Sequence, residues 1–155
     1  MEEVPIPGMC RVRQRFDRDG ISDVAAVLRE KLNDEKLKAR IRPGMRVVLT
    51  GSSRQIANMP LILKKLAAFV RAQGGEPCII PAMGSHGGTE DYCGCPILSS
   101  METVRVGQLP DGDEVRMDRF AHEADAVIVV GRIKAHTAFR GTYESGLVKM
   151  MAIGM

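Results

Sequence analysis

Three short apolar segments, each followed directly by a small polar turn, constrain the fold of this chain more than any other feature. They span residues 45–50, 77–83 and 126–130. Runs of this length and composition are typical of buried strands, and a helical pattern separates the first two. Strands that alternate with helices form units with parallel strands. The sequence therefore predicts a single α/β domain with a mostly parallel sheet flanked by helices, in a Rossmann-like topology.

Helical periodicity predicts two helices around the first apolar segment. The first is capped by Ser22 and ends near Lys38, and the second begins near Asn58 or Pro60 and ends at residues 74–75. The apolar face of the first helix comprises Val24, Ala25, Val27, Leu28 and Leu32. The buried face of the second comprises Leu63, Leu66, Ala67 and Val70.

Weaker patterns complete the predicted secondary structure. Residues 10–16 alternate in character and predict a strand closed by a turn at 17–20, with its arginines on the outward face rather than in a phosphate-binding patch. Further along, the chain predicts short strands at 96–100, 103–107 and 114–117, a turn at 110–113 and a short helix at 119–123.

Composition argues against two classes of function. A formal net charge of +3, no Trp, four Phe and two Tyr give neither the charge nor the aromatic platform of a nucleic-acid-binding protein. No apolar run approaches the roughly 20 residues of a membrane helix, and the acidic start has no signal-peptide character. At 155 residues the chain is long enough for one domain with its own core.

The four cysteines are expected to be free thiols of a cytoplasmic protein. Cys78 falls in an apolar strand and is predicted to be a core residue. Cys93 and Cys95 are too close in sequence for an easy disulfide, and no second pair of ligands stands at zinc spacing. A metal site built on this Cys-Gly-Cys turn is the minor alternative.

Polar groups gather where the predicted strands end. The turns at 51–54 and 84–89 and the segment after residue 130 should share the carboxyl edge of the sheet, where open α/β sheets bind ligands. His86 and His136 then form a natural acid–base pair, because the pKa of histidine lies near neutrality. Arg54 suits a carboxylate or a phosphate.

Lys149 is expected in a dry setting because its sequence neighbours are apolar. A desolvated lysine can act as a nucleophile or as a covalent tether for a cofactor. Gly87, Gly88, Gly141 and Gly146 would let the backbone approach a ligand closely. The glycines match neither the dinucleotide fingerprint nor the P-loop, so neither site is predicted.

Segments 81–88, 132–137 and 144–150 resemble the lactate racemase-like family, the nickel-pincer-nucleotide-dependent isomerases of 2-hydroxy acids. The resemblance implies that Lys149 binds a pyridinium-derived mononucleotide through a thioamide bond, with Ser145 and Gly146 as further cofactor-binding residues. It also implies that this cofactor carries nickel in a sulfur–carbon–sulfur pincer. It implies proton transfer by His86 and His136 and substrate binding by Arg54. It also implies a small 2-hydroxy acid substrate and cofactor-synthesis enzymes as partners, and leaves open whether the protein is a homodimer.

The resemblance extends over only the N-terminal portion of a two-domain family member. The histidine that completes nickel coordination is expected beyond Met155, so no metal ligand is assigned within residues 1–155. Gly51 stands where the racemases have an aspartate, and the spacing from His136 to Lys149 is longer than theirs, so the expected substrate is not simply lactate. One alternative is a non-catalytic α/β module that binds an anionic metabolite or nucleotide through Arg54, Lys134 and the glycine turns. Another is a purely structural α/β domain in which Lys149 only extends into solvent, and a solvent-facing Lys149 distant from both histidines would favour it.

Overall fold

The computed structural model describes residues 8, 10–13, 15, 20–51, 56–81, 93–134, 140–142 and 144–155. Helices and strands alternate along most of this length. In chain order they are α1 (Val24–Leu32), α2 (Glu35–Lys38), β1 (Arg46–Gly51), α3 (Met59–Ala72), β2 (Glu76–Pro81), β3 (Thr103–Gln108), β4 (Glu114–Asp118), α4 (Arg119–His122), β5 (Ala126–Ile128) and α5 (Leu147–Ile153).

The predicted parallel sheet is confirmed. Its strand order is β2-β1-β5, and both pairings are parallel. Val48 in the middle of β1 lies opposite Cys78 on one side and Val127 on the other. The segment around Ile97 adds a short parallel bridge to the outer side of β2, where Leu98 N donates to Ile79 O at 2.8 Å.

A buried threonine continues the sheet beyond the end of β5. The backbone pairing of β1 with β5 stops at Ile128, and Thr50 is fully buried. Its hydroxyl accepts from Val130 N at 2.7 Å and donates to Val130 O at 3.1 Å. One side chain therefore satisfies both backbone groups of a residue that the strand ladder no longer reaches.

Helix α3 covers one face of the sheet, as its periodicity predicts. The residues buried between them are Val47, Leu49, Leu63, Leu66, Ala67, Val70 and Ile79. The helix begins after Asn58 with Pro60 in its first turn, and Gly75 N closes its other end by donating to Val70 O at 3.0 Å. A Cβ at Gly75 would lie 2.9 Å from Val70 Cγ1, so only glycine fits this tight return to β2.

The opposite face of the sheet has a smaller core. Val48, Cys78, Ile80 and Ala121 are buried there, and Met155 packs against them. Burial raises the pKa of the Cys78 thiol, and the nearby Arg46 opposes this only in part. Cys78 is therefore the core residue that the sequence predicts, and its thiol is a poor nucleophile.

Residues 103–123 follow the sequence pattern, whereas the strand predicted at 96–100 is only the isolated bridge at Ile97. Strands β3 and β4 pair as an antiparallel hairpin, and its turn is closed by Leu109 N donating to Asp113 O at 2.8 Å. The short helix predicted at 119–123 is α4, on which His122 is exposed. Among the described residues, no helix combines the length and the apolar character needed to cross a membrane.

Two predictions near the N-terminus are wrong. Residues 10–13 and 15 form no strand, and the side chain of Val12 is 78% exposed, because alternation alone gives a strand nothing to pair with. The single helix predicted to end near Lys38 is instead α1 and α2. Asp23 rather than Ser22 caps α1, and Asp34 starts α2 by accepting from Lys36 N at 2.7 Å.

Replacing Thr50 with valine should destabilise the domain by about 1–3 kcal/mol, because the substitution leaves both backbone groups of Val130 without their partner. Urea unfolding monitored by circular dichroism measures this loss. Thr142→Val is the matched control. Thr142 is exposed, and its substitution should change the unfolding free energy by no more than about 0.5 kcal/mol. Equal effects of the two substitutions would contradict the role given to Thr50.

Candidate functional site

The carboxyl ends of three neighbouring strands meet at one edge of the sheet. Gly51 at the end of β1 lies opposite Pro81 at the end of β2, and Leu49 of β1 lies opposite Ile128 at the end of β5. Since all three strands run the same way, the chain leaves each of them at the same edge. This is the edge at which open α/β sheets bind their ligands.

The segments that leave these strand ends carry three of the predicted site residues. Arg54 follows β1, His86 follows β2 and His136 follows β5. All three lie outside the residues that the structure describes. Their predicted roles, substrate binding for Arg54 and proton transfer for the two histidines, therefore stay predictions. The structure describes only the strand ends that precede their segments.

Ser145 holds two parts of the chain together. Its hydroxyl accepts from Lys134 N at 3.1 Å and also donates to Lys134 O. This is the arrangement that Thr50 makes with Val130, repeated four residues further along the same segment. The Ser145 hydroxyl, which the sequence assigns to cofactor binding, thus anchors residues 131–134 to the start of α5.

Gly146 lets the same two segments approach each other closely, and Gly131 lies beside Met150. Gly146 is buried with φ at +83° and ψ at −144°, and a Cβ there would lie 3.2 Å from Ile133 Cγ1. A Cβ at Gly131 would lie 3.6 Å from Met150 Cε. The close approach expected at Gly146 is therefore made by the protein itself, and α5 packs beside the residues that leave the end of β5.

An acidic side chain organises the turn before α5. Glu144 Oε1 accepts from Gly141 N at 3.1 Å, and Glu144 Oε2 lies 3.8 Å from Arg140 Nη1. The side chain of Glu144 is 18% exposed, whereas that of Arg140 is 75% exposed. A half-buried carboxylate with these partners stabilises the loop that leads to Ser145.

The dry setting expected for Lys149 is wrong. Lys149 is exposed on α5, and so are its neighbours Leu147, Val148 and Met151, at 48%, 43% and 51%. The reason is that a seven-residue helix buries only one side, and here that side is the one with Met150. Apolar sequence neighbours in a short helix do not surround the residue between them.

The Cys-Gly-Cys turn is tied to both ends of α3. Arg71 donates to Gly94 O and, at 3.4 Å, to Cys95 Sγ. Cys93 Sγ lies 3.3 Å from Pro60 O at the other end of the helix. Within the described residues, no three side chains of His, Cys, Asp or Glu are grouped so that they could hold a metal ion.

Comparison of the chain with protein-family models, with curated proteins and with solved structures found no match. The resemblance to the lactate racemase-like family therefore depends on the three sequence segments that carry it. Support for a function comes from those residues and from the edge of the sheet at which their segments begin.

Replacing Gly146 with alanine should loosen α5 from residues 131–134, since an L-residue at this φ and ψ is strained and its Cβ would press on Ile133. Hydrogen exchange measures the effect. The Lys134 amide, which donates to Ser145, should exchange roughly tenfold faster or more for a loss of about 1.4 kcal/mol, while the Leu49 amide in β1 should not change.

Gly141→Ala is the control for this substitution. A Cβ at Gly141 would meet nothing within 4 Å, so the variant should exchange like the unmodified chain. If both alanine variants protect Lys134 equally well, the contact of Gly146 with Ile133 does not hold α5 in place.

Proposed function

We propose that this chain is the cofactor-tethering part of a racemase or epimerase that acts on a 2-hydroxy acid and depends on a nickel-pincer nucleotide. One observation carries the proposal. Three parallel strands end side by side, and the chain leaves them toward Arg54, His86 and His136, while the helix with Lys149 packs beside the third exit. The segments that contain Arg54, His86 and His136 each follow a strand that ends at this edge, which supports a shared site there.

The backbone around Lys149 fits a covalent tether, although the side chain lacks the desolvated setting that the sequence predicts for a reactive amine. Its side chain is exposed and forms no ion pair with any residue that the structure describes, so its amine is accessible. The helix that carries it is fixed on its other side by Gly131, Gly146 and Ser145. A tether needs this combination of a reachable amine and a firmly held backbone. When bound, a nickel-pincer nucleotide supplies an acceptor and a donor of hydride.

The chain's own residues would handle the proton and the carboxylate. One of His86 and His136 takes the proton of the substrate hydroxyl, and the other, already protonated, donates its own proton to that oxygen when the opposite configuration forms. Imidazole suits both roles because it accepts and donates a proton near neutral pH. Arg54 binds the substrate carboxylate through two parallel hydrogen bonds.

A cytoplasmic location belongs to the same proposal. Cys10, Cys78, Cys93 and Cys95 are all free thiols, which is the usual state of cysteine in a reducing compartment. The enzymes that synthesise the cofactor would be the partners of the chain there.

Mass spectrometry of the full chain produced together with the cofactor-synthesis enzymes tests the tether. The expected result is a mass adduct on Lys149 that disappears in Lys149→Arg, because arginine keeps the positive charge but lacks the reactive amine. Lys134→Arg is the matched control, since Lys134 is also exposed and belongs to the adjoining segment. An adduct that is absent, or that maps to Lys134, overturns the assignment of Lys149.

The exposure of Lys149 favours a second candidate, a non-catalytic module that binds an anionic metabolite or nucleotide at the same edge. Lys134 is exposed as well, and Arg54 would be the third cation of such a site. No covalent bond and no proton transfer would then be needed.

Substituting His86 or His136 with asparagine separates the two candidates. An isomerase should lose turnover of its 2-hydroxy acid by roughly 10²–10⁴-fold, because each histidine moves a proton in the reaction. A binding module has no turnover to lose, and its affinity for the anion should fall only modestly. Racemisation followed by chiral chromatography measures the first quantity, and calorimetric titration measures the second. Full turnover in either variant would remove that histidine from the mechanism.

A further inference from the structure

A cleft with a volume of about 680 Å³ lies between α1 and α3, on the side of α3 that faces away from the sheet. It is lined along α1 by positions 26, 29, 30, 32 and 33, and along α3 by positions 65, 68, 69, 72 and 73. Residues spaced in this way share one side of each helix. The cleft is therefore a groove between two facing helix sides.

Small side chains keep this groove open. Ala26 on α1 and Ala68 and Ala72 on α3 stand where larger residues would fill the space between the helices. Leu32 and Phe69, which are half-buried and pack against the core of the sheet, provide the apolar floor. The volume falls in the range of small-molecule sites, which are mostly apolar with a few placed polar groups.

The rim of the groove is cationic. Arg29, Lys38 and Lys65 line it, against a single carboxylate, Glu30. Lys38 is engaged with Glu35 at 2.7 Å, and Glu30 lies 3.7 Å from Lys31. Arg29 and Lys65 form no ion pair with any residue in the described part of the chain. Two cations beside an apolar floor are complementary to an anion on an apolar body.

We infer that this groove is a binding site for a small organic anion, such as a carboxylate, sulfonate or phosphate carried by an aromatic or aliphatic body. The anionic group lies between Arg29 and Lys65, and the body covers Phe69 and the alanines. The site is separate from the carboxyl edge of the sheet. It is formed by the C-terminal half of α3, which leads to the opposite, amino-terminal end of β2 at Glu76.

Fluorescence titration with 8-anilinonaphthalene-1-sulfonate tests the inference, because this dye is a sulfonate on an aromatic body and the chain has no Trp to interfere. Lys65→Glu should weaken binding roughly tenfold, since it replaces an attractive charge with a repulsive one. Lys64→Glu is the matched control. Lys64 precedes Lys65 on α3 but is exposed outside the groove, and its substitution should leave the affinity within about twofold.

Two further measurements test the apolar part of the site. Ala72→Leu and, independently, Ala68→Leu should fill the groove and weaken binding at least as much as Lys65→Glu, with circular dichroism confirming that each variant is folded. N-phenyl-1-naphthylamine, which lacks the sulfonate, should bind more weakly than the sulfonated dye and should not respond to Lys65→Glu. Equal responses to Lys64→Glu and Lys65→Glu, or binding unchanged in a folded leucine variant, would overturn the inference.

Discussion

Everything in this domain depends on the double pairing of β1. The strand is hydrogen-bonded on both sides, and four consecutive residues, Val47 to Thr50, are fully buried. A strand buried on both faces carries an unbroken apolar run, because neither set of alternating side chains reaches water. Helix α3 packs on one face and α4 with Met155 on the other, so both cores are built on this one strand.

Two hydroxyl side chains hold the backbone in place between the end of the sheet and the candidate site. The backbone ladder ends at Ile128, yet Thr50 fixes Val130 and Ser145 fixes Lys134, each by pairing with the N–H and the C=O of its partner. The part-buried backbone groups of Val130 need such a partner, whereas those of Lys134 lie at the surface. The segment that leads to His136 is therefore held at two points before it leaves the described part of the chain.

The sequence predicts the parts of this fold whose signals are local and strong. The three apolar segments are the strands of the sheet, and the spacing of Leu63, Leu66, Ala67 and Val70 identifies the buried face of α3. The strand predicted at residues 10–16 is wrong in its described part. Alternation shows which side of a strand could be buried, but it does not show whether a neighbouring strand exists. The break after Asn33 is missed because Asp34 caps a new helix from within an otherwise helical pattern.

The candidate site is harder to predict from the sequence, because a polar residue between apolar segments can bind either a ligand or the protein's own backbone. Ser145 is predicted to meet a cofactor, and its hydroxyl pairs with the backbone of Lys134. Gly146 is predicted to admit a ligand, and it admits Ile133. One-dimensional spacing cannot separate a residue that touches a ligand from one that positions its neighbour, since both require a small or hydrogen-bonding side chain at a fixed place.

The environment of Lys149 reflects this difference between residues that position a neighbour and residues that touch a ligand. The described contacts between α5 and residues 131–134 place Gly131 beside the side chain of Met150 and Gly146 beside that of Ile133, and they pair the hydroxyl of Ser145 with the backbone of Lys134. The exposed side chains of Leu147 and Val148 contribute little to holding the helix. The position of Lys149 is consequently set by Gly146, Ser145 and the neighbouring Gly131, and its side chain forms no ion pair within the described part of the chain. A residue that must reach a large ligand and form a bond with it benefits from this arrangement, because the backbone is ordered in advance and the four-carbon side chain supplies the reach.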